Sequence, residues 1–106
     1  MDQQIWIIAP QGRVDAASAP GLEAELKQRI AAGATRIVVD FSATRYISSN
    51  GLRVLLVALK ATQCRDGALK LCALAPRLRE ILALAGFDRL FEIFDTRAQA
   101  EQSFEK

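Results

Sequence analysis

Asp40-Phe41-Ser42-Ala43-Thr44-Arg45-Tyr46-Ile47-Ser48-Ser49-Asn50-Gly51-Leu52 joins a strand to a helix through a hydroxyl-rich loop, and the rest of the chain is read from it. Immediately before Asp40, Ile37-Val38-Val39 is β-branched and uninterrupted, the pattern of a strand covered on both faces of a parallel sheet. After the loop, Leu52, Leu55, Leu56 and Leu59 recur at helical spacing and mark one apolar helix face. Ser48, Ser49 and Asn50 therefore fall at a helix N-terminus, just past the C-terminal end of a strand. Open α/β sheets place recognition sites there, and the free N–H groups and dipole of the helix favour added negative charge at that end.

Toward the N-terminus, residues 4–9 read as a strand, Pro10-Gln11-Gly12 as a turn or bulge, and Arg13-Val14 as a short second strand, at a sheet edge or in a hairpin with the first. Residues 15–18 offer capping groups, and Pro20 suits a first helical turn, where its missing N–H would be unpaired anyway. Leu22, Leu26 and Ile30 form the buried stripe of that helix, and Gly33 stops it. The third strand covers 36–41, and the helix after the loop runs to about Arg65, where Asp66-Gly67 signals a turn. A fourth strand follows at 69–73. Pro76 opens a helix with Leu78, Ile81, Leu82 and Ala85 at helical spacing, and Gly86 fits the position just past its end. Phe91-Glu92-Ile93-Phe94 reads as a last strand, after which Asp95 or Thr96 caps a final helix with Ala100 and Phe104 inward. The expected fold is one α/β domain over residues 1–106, a mixed four- to five-stranded sheet with about four helices packed on it.

Composition narrows the function. A chain of 106 residues, 51% hydrophobic and 25% charged, is large enough for one modest core and too short for two. Its formal charge of +2 comes without a basic block, so no nucleic-acid partner is expected. No apolar run approaches the roughly 18 residues of a bilayer span, and no charged-then-apolar leader stands at the N-terminus, so a cytoplasmic protein without membrane insertion is expected. Cys64 and Cys72 form no C-x-x-C pair and are expected as buried thiols. The chain has no histidine, which removes the commonest metal ligand and the commonest general base at neutral pH. With no phosphate-cradling or dinucleotide glycine motif either, no metal, cofactor, catalytic residue or enzymatic activity is expected.

The quoted stretch resembles the signature of the STAS domain, the family of anti-sigma factor antagonists: Asp, aliphatic, small residue, then an aromatic, an aliphatic, a serine-containing turn and Gly-Leu. The order of elements along all 106 residues is similar too. The resemblance implies a STAS-like fold and a protein switch. In its unphosphorylated form the protein would bind a GHKL-type serine kinase that is also an anti-sigma factor and so release that partner's target. Phosphorylation of a serine in the turn would abolish binding, and a PP2C-type phosphatase would restore it. The resemblance also accommodates a STAS accessory subunit of a lipid-transport ATPase or stressosome-like complex, working without a phosphate cycle. One common form of the turn, Asp-Ser-Ser-Gly, has its acceptor directly before the glycine, where this chain has Asn50. A second form, Ile-Ser-Ser-x-Gly-Leu-Arg, is followed by residues 47–53 and implies Ser49 as acceptor, with Ser48 the second choice.

Read without the family, Ser48, Ser49 and Asn50 are good N-caps, worth roughly 1 kcal/mol. Gly51 would cost roughly 1 kcal/mol inside a helix. Its place in the first turn implies close approach by a partner or by neighbouring backbone, or simple tolerance near a helix end. Asp15, closing Gly12-Arg13-Val14-Asp15, is by spacing an N-cap for the first helix; the resemblance places an acidic residue of that turn near the phosphorylated loop. Arg45 and Arg53 flank the serines and could meet a partner's acidic groups or the phosphate, or simply hold their heads in solvent. Thr44 is a further loop hydroxyl. The expected partner-binding set is Asp15, Thr44, Arg45, Ser48, Asn50, Gly51, Leu52 and Arg53.

Overall fold

The computed structural model describes residues 4–105. Its elements run β1 (Trp6–Ile8), β2 (Gly12–Val14), α1 (Ala19–Ala31), β3 (Arg36–Asp40), β4 (Thr44–Ile47), α2 (Ser49–Gln63), β5 (Ala68–Cys72), α3 (Pro76–Leu84), β6 (Ile93–Phe94) and α4 (Arg97–Gln102). Short 3₁₀ turns follow α3 at Phe87–Arg89 and α4 at Ser103–Glu105. One sheet has the order β1-β3-β5-β6 and a second pairs β2 with β4. The single α/β domain with four helices is as expected. Its mixed sheet of four to five strands is realised as six strands in two sheets, and every described pair is parallel.

The hairpin alternative for the first two strands is corrected. β1 pairs with β3 and β2 with β4, so the chain between them bends but does not reverse. A parallel crossover through α1 lets β1 cover one edge of β3, whose apolar run would otherwise stand as an open edge. The bends at residues 9–11 and 41–43 lie side by side: the Gly12 N–H donates to the Ala43 carbonyl at 2.8 Å and Thr44 Oγ1 donates to the Pro10 carbonyl at 2.7 Å. β1–β2 and β3–β4 thus form one bent parallel ribbon. Ile8 stands opposite Val39, Gly12 opposite Thr44 and Arg13 opposite Tyr46, so the β3–β4 side takes up one extra residue at the bend and a second, Arg45, as a bulge within β4.

Within β3 the side chains alternate between faces. On the front, Ile37 and Val39 join Leu69 and Leu71 of β5 in a core closed by Leu26 and Ile30 of α1, Leu55 and Leu59 of α2, and Leu78 and Leu82 of α3. On the back, Val38 and Cys72 meet Ala100 of α4, flanked by Ile7, Phe94 and Phe104. Gly33, at φ +103°, ends α1 with its own N–H donating to Ile30 O and the Ala34 N–H donating to Arg29 O, a left-handed stop open to glycine. The two thiols part company. Cys72 is buried, and desolvation with the nearby Asp40 charge pushes it up to about 11. Cys64, expected to be buried, is exposed at the C-cap of α2, beyond the helix's inward stripe.

Candidate functional site

The segment 44–47, read as loop, is a strand. Thr44 and Ile47 face inward and Arg45 outward, and neither glycine nor proline separates β3 from β4, so polar residues masked a half-buried strand. The serine turn consequently follows the end of β4 in the small sheet, with the Ser48 N–H donating to the Val14 carbonyl at 2.8 Å. Ser48 holds extended backbone angles as N-cap of α2, and its Oγ accepts from the Gly51 N–H at 3.4 Å. Ser49 and Asn50 are the first two helical residues, and both side chains are exposed. The cap duty left open among the three residues therefore falls to Ser48, and Ser49 presents its hydroxyl to solvent beside the positive end of the helix dipole.

Gly51 is buried, and the reason is packing. A Cβ there would lie 2.7 Å from Cγ1 of Ile47 and 2.7 Å from Cγ1 of Val14. The side chains of β2 and β4 make the close approach, where a partner or neighbouring backbone was expected. Gly51 thus sets how tightly α2 seats on the ribbon and offers no surface to a partner. Thr44 is likewise turned inward at 4% exposure, its hydroxyl spent on Pro10 O. Leu52 is half-buried and packs against the core.

Asp15 does not cap α1 directly; Ser18 stands at that position, without a side-chain cap bond. Asp15 instead closes the turn ahead of the helix. Its Oδ1 accepts from the Ala17 N–H at 3.1 Å and the Ser18 N–H at 3.2 Å, and Ser18 Oγ donates to the Arg13 carbonyl at 2.7 Å. The Ser18 amide, above all, holds the Asp15 carboxyl below its usual range, so it carries full negative charge at neutral pH. Because Val14 lies opposite Ile47, Asp15 and Ser48 follow as neighbours at the ends of paired strands.

The exposed members of the expected partner-binding set are Arg45, Asn50 and Arg53, with Asp15 half-exposed, and the expected acceptor Ser49 is exposed beside them. Asn50 and Arg53 line a shallow cleft of about 260 Å³ with Ala19, Pro20, Glu23 and Val54, between the starts of α1 and α2. Two further residues belong to this surface and were missed: Arg13 lies 4.5 Å above the Tyr46 ring and 3.8 Å from Asp15 Oδ2. Only the β2–β4 pairing brings them together, and that pairing was hidden with β4 itself. Among the described residues no group of three or more His, Cys, Asp and Glu side chains gathers as a metal site, and no helix is long and apolar enough to cross a membrane.

A sequence profile of the STAS domain matches residues 2–100, most of the chain. This chain belongs to the STAS domain family. It is 40% identical over 94 residues to BtrV of Bordetella bronchiseptica, a protein named as a candidate anti-sigma factor antagonist, covering 89% of this chain and 81% of that one. The STAS fold is shared with a Thermotoga maritima protein described in the same terms, with a TM-score of 0.93 at 20% identity over 100% of this chain and 92% of the other. It is shared too with the Bacillus antagonist SpoIIAA, whose unphosphorylated form aligns with a TM-score of 0.76 at 17% identity over 97% of this chain and 90% of that one. Within this STAS domain, the capped, solvent-facing turn at the start of α2 is the candidate site.

Proposed function

We propose that this STAS domain is an anti-sigma factor antagonist that works by partner switching. Unphosphorylated, it binds a GHKL-type serine kinase that is also an anti-sigma factor and frees that partner's target; phosphorylation of Ser49 ends the contact, and a PP2C-type phosphatase restores it. The observation that carries the reading is the division of labour in the turn: Ser48 is held as cap, while Ser49 is exposed at the first helical position. The kinship with BtrV supports the antagonist role.

The physics of the switch follows. A phosphate on Ser49 adds about −1.5 to −2 charges and three strong acceptor oxygens. The α2 N-terminus accommodates that charge, and the Ser48 cap is untouched, so the fold persists. Asp15 already contributes a negative charge to the same surface. A partner docked there must then desolvate the phosphate and meet its repulsion, and binding is lost. Arg45 and Arg53 give the unphosphorylated turn two exposed cations for acidic groups on the partner.

The test is intact mass and peptide mapping after incubation with ATP and each purified GHKL-type serine kinase of the source genome. One phosphate on Ser49 is expected. Ser49→Ala should bind the kinase constitutively, and Ser49→Asp should bind at least about tenfold more weakly, near 1.4 kcal/mol. Equal affinity of the two variants in a titration would sink the reading. A stable complex formed without any phosphate would replace it with a constitutive accessory subunit.

A further inference from the structure

Asp40 closes β3 with only 4% of its surface exposed. Both carboxylate oxygens are engaged. Oδ1 accepts from the Ser42 N–H at 2.9 Å, and Oδ2 accepts from Arg97 Nε at 3.0 Å, with Arg97 Nη2 in ion-pair contact at 3.0 Å. A buried carboxylate requires such donors. Burial pushes its carboxyl up, but the Ser42 amide and hydroxyl and the Arg97 guanidinium outweigh that and hold it below the usual aspartate range. Arg97 is the first residue of α4, 57 positions along the chain, with its side chain half exposed.

The ion pair does more than fasten α4. Ser42 lies in the bend of the ribbon, where the β3–β4 side absorbs the first of its two extra residues, the second being the Arg45 bulge just beyond Thr44. The Thr44 N–H donates to Phe41 O at 3.0 Å inside that bend, the Gly12 N–H donates to Ala43 O across it, and the four residues of β4 then lead to Ser48. A bulged segment has alternative registers within reach unless something fixes its start. Here Asp40 fixes it, holding the bend through one oxygen and α4 through the other. The neighbouring strand is itself constrained: the Phe41 N–H donates to Cys72 O, and the next residue, Ala73, is held at φ +61°.

We propose that Arg97 is a positioning residue for the Ser48–Ser49 turn: through Asp40 it fixes the β3–β4 bend, so that docking of α4 on the back of the sheet sets how the phosphoacceptor is presented. The acceptor role of Ser49 rests on the function proposed above; the mechanical link from Arg97 to the turn stands apart from it.

Amide hydrogen exchange on the full chain tests the link. Arg97→Ala should speed exchange at Gly12, Thr44 and Ser48 by about tenfold or more, the weight of a charge-assisted contact. Ala32 and Ala68, bonded to Gln28 O and Thr35 O away from the bend, serve as controls and should change much less. Arg97→Lys, which keeps the charge but not the guanidinium Nε–H bonded to Oδ2, should fall between, and Asp40→Asn should loosen the same amides as Arg97→Ala. A uniform rise in both sets, or no change at the bend, overturns the proposal. With any kinase that modifies the wild type, Arg97→Ala should lower kcat for phosphorylation with KM nearly unchanged. A change in KM alone would make α4 a docking surface and overturn the positioning role. If no kinase modifies the wild type, the phosphorylation reading fails, and exchange still decides the link.

Discussion

On the front of the sheet, three helices bring Leu26, Ile30, Leu55, Leu59, Leu78 and Leu82 down on Ile37, Val39, Leu69 and Leu71; on the back, the six-residue α4 meets Val38 and Cys72 with Ala100. The thin cover is fastened at its margins by charge. Besides Arg97 on Asp40, Lys70 reaches out from β5 with its Nζ 3.1 Å from Glu92, 2.8 Å from Ser103 Oγ and 4.2 Å above the Phe104 ring. On the front, the ion pair of α1, Lys27 with Glu23 at 3.5 Å, is an exposed helix-surface pair of the kind worth about 0.3–0.5 kcal/mol. Where apolar area is plentiful the molecule needs little direction from charge. Where it is scarce, a few oriented contacts fix a small helix in one place.

The contrast breaks most sharply on the front. Leu55 has no exposed surface, and Leu55→Asp buries a charge with no partner, at more than about 4 kcal/mol. Circular dichroism should find the chain unfolded; a folded product would mean that α2 does not seat the core as described. Less drastic is acid. Asp40 has a carboxyl held below its usual value near 3.8, so its contribution to stability is complete above the unfolded value and is lost as pH falls through the folded one. Urea midpoints should therefore drop from about pH 5 downward. Asp40→Asn should lower stability at neutral pH by about 1.5–3 kcal/mol and flatten the acid limb, though Asp15, lowered in the same sense, keeps part of it. An unchanged acid limb would show that the Arg97 pair contributes nothing to the back face. The smallest effect belongs to Lys70→Met. Glu92 is 66% exposed and regains water when its partner goes, and methionine keeps the stem's apolar volume, so a change within about 1.5 kcal/mol is expected. A thermal shift worth more than about 3 kcal/mol would mean that the Lys70 charge, more than Ala100 packing, holds the back face.

The same division governs what was legible in the sequence. Ile37-Val38-Val39, the leucines of α2 and the Gly33 stop are local patterns, and each reads as the element it forms. The turn of Ser48, Ser49 and Asn50 was legible as a helix start, but which residue caps it depends on how α2 meets β4. β4 itself was illegible because its inward residues are one threonine and one isoleucine around an arginine and a tyrosine. Gly51 was readable as a close approach; Val14 and Ile47, which make that approach, come together only through the β2–β4 pairing. Asp40 was legible as the opening residue of the signature, but its pairing with Arg97 had no signal, since a single charge pair across 57 residues leaves no periodic trace.

The bent parallel ribbon bears on how the chain is made. β1 cannot pair until the whole of α1 and β3 has been synthesised, and β2 waits longer, for β4. A protein emerging N-terminus first from the ribosome thus exposes Trp6, Ile7 and Ile8 as an unpartnered edge while later segments are still being added. Those residues are sheltered only once β3 has followed them out, so a translational pause before residue 40 has left the ribosome would prolong that exposure, while one after residue 50 has emerged would let the ribbon close.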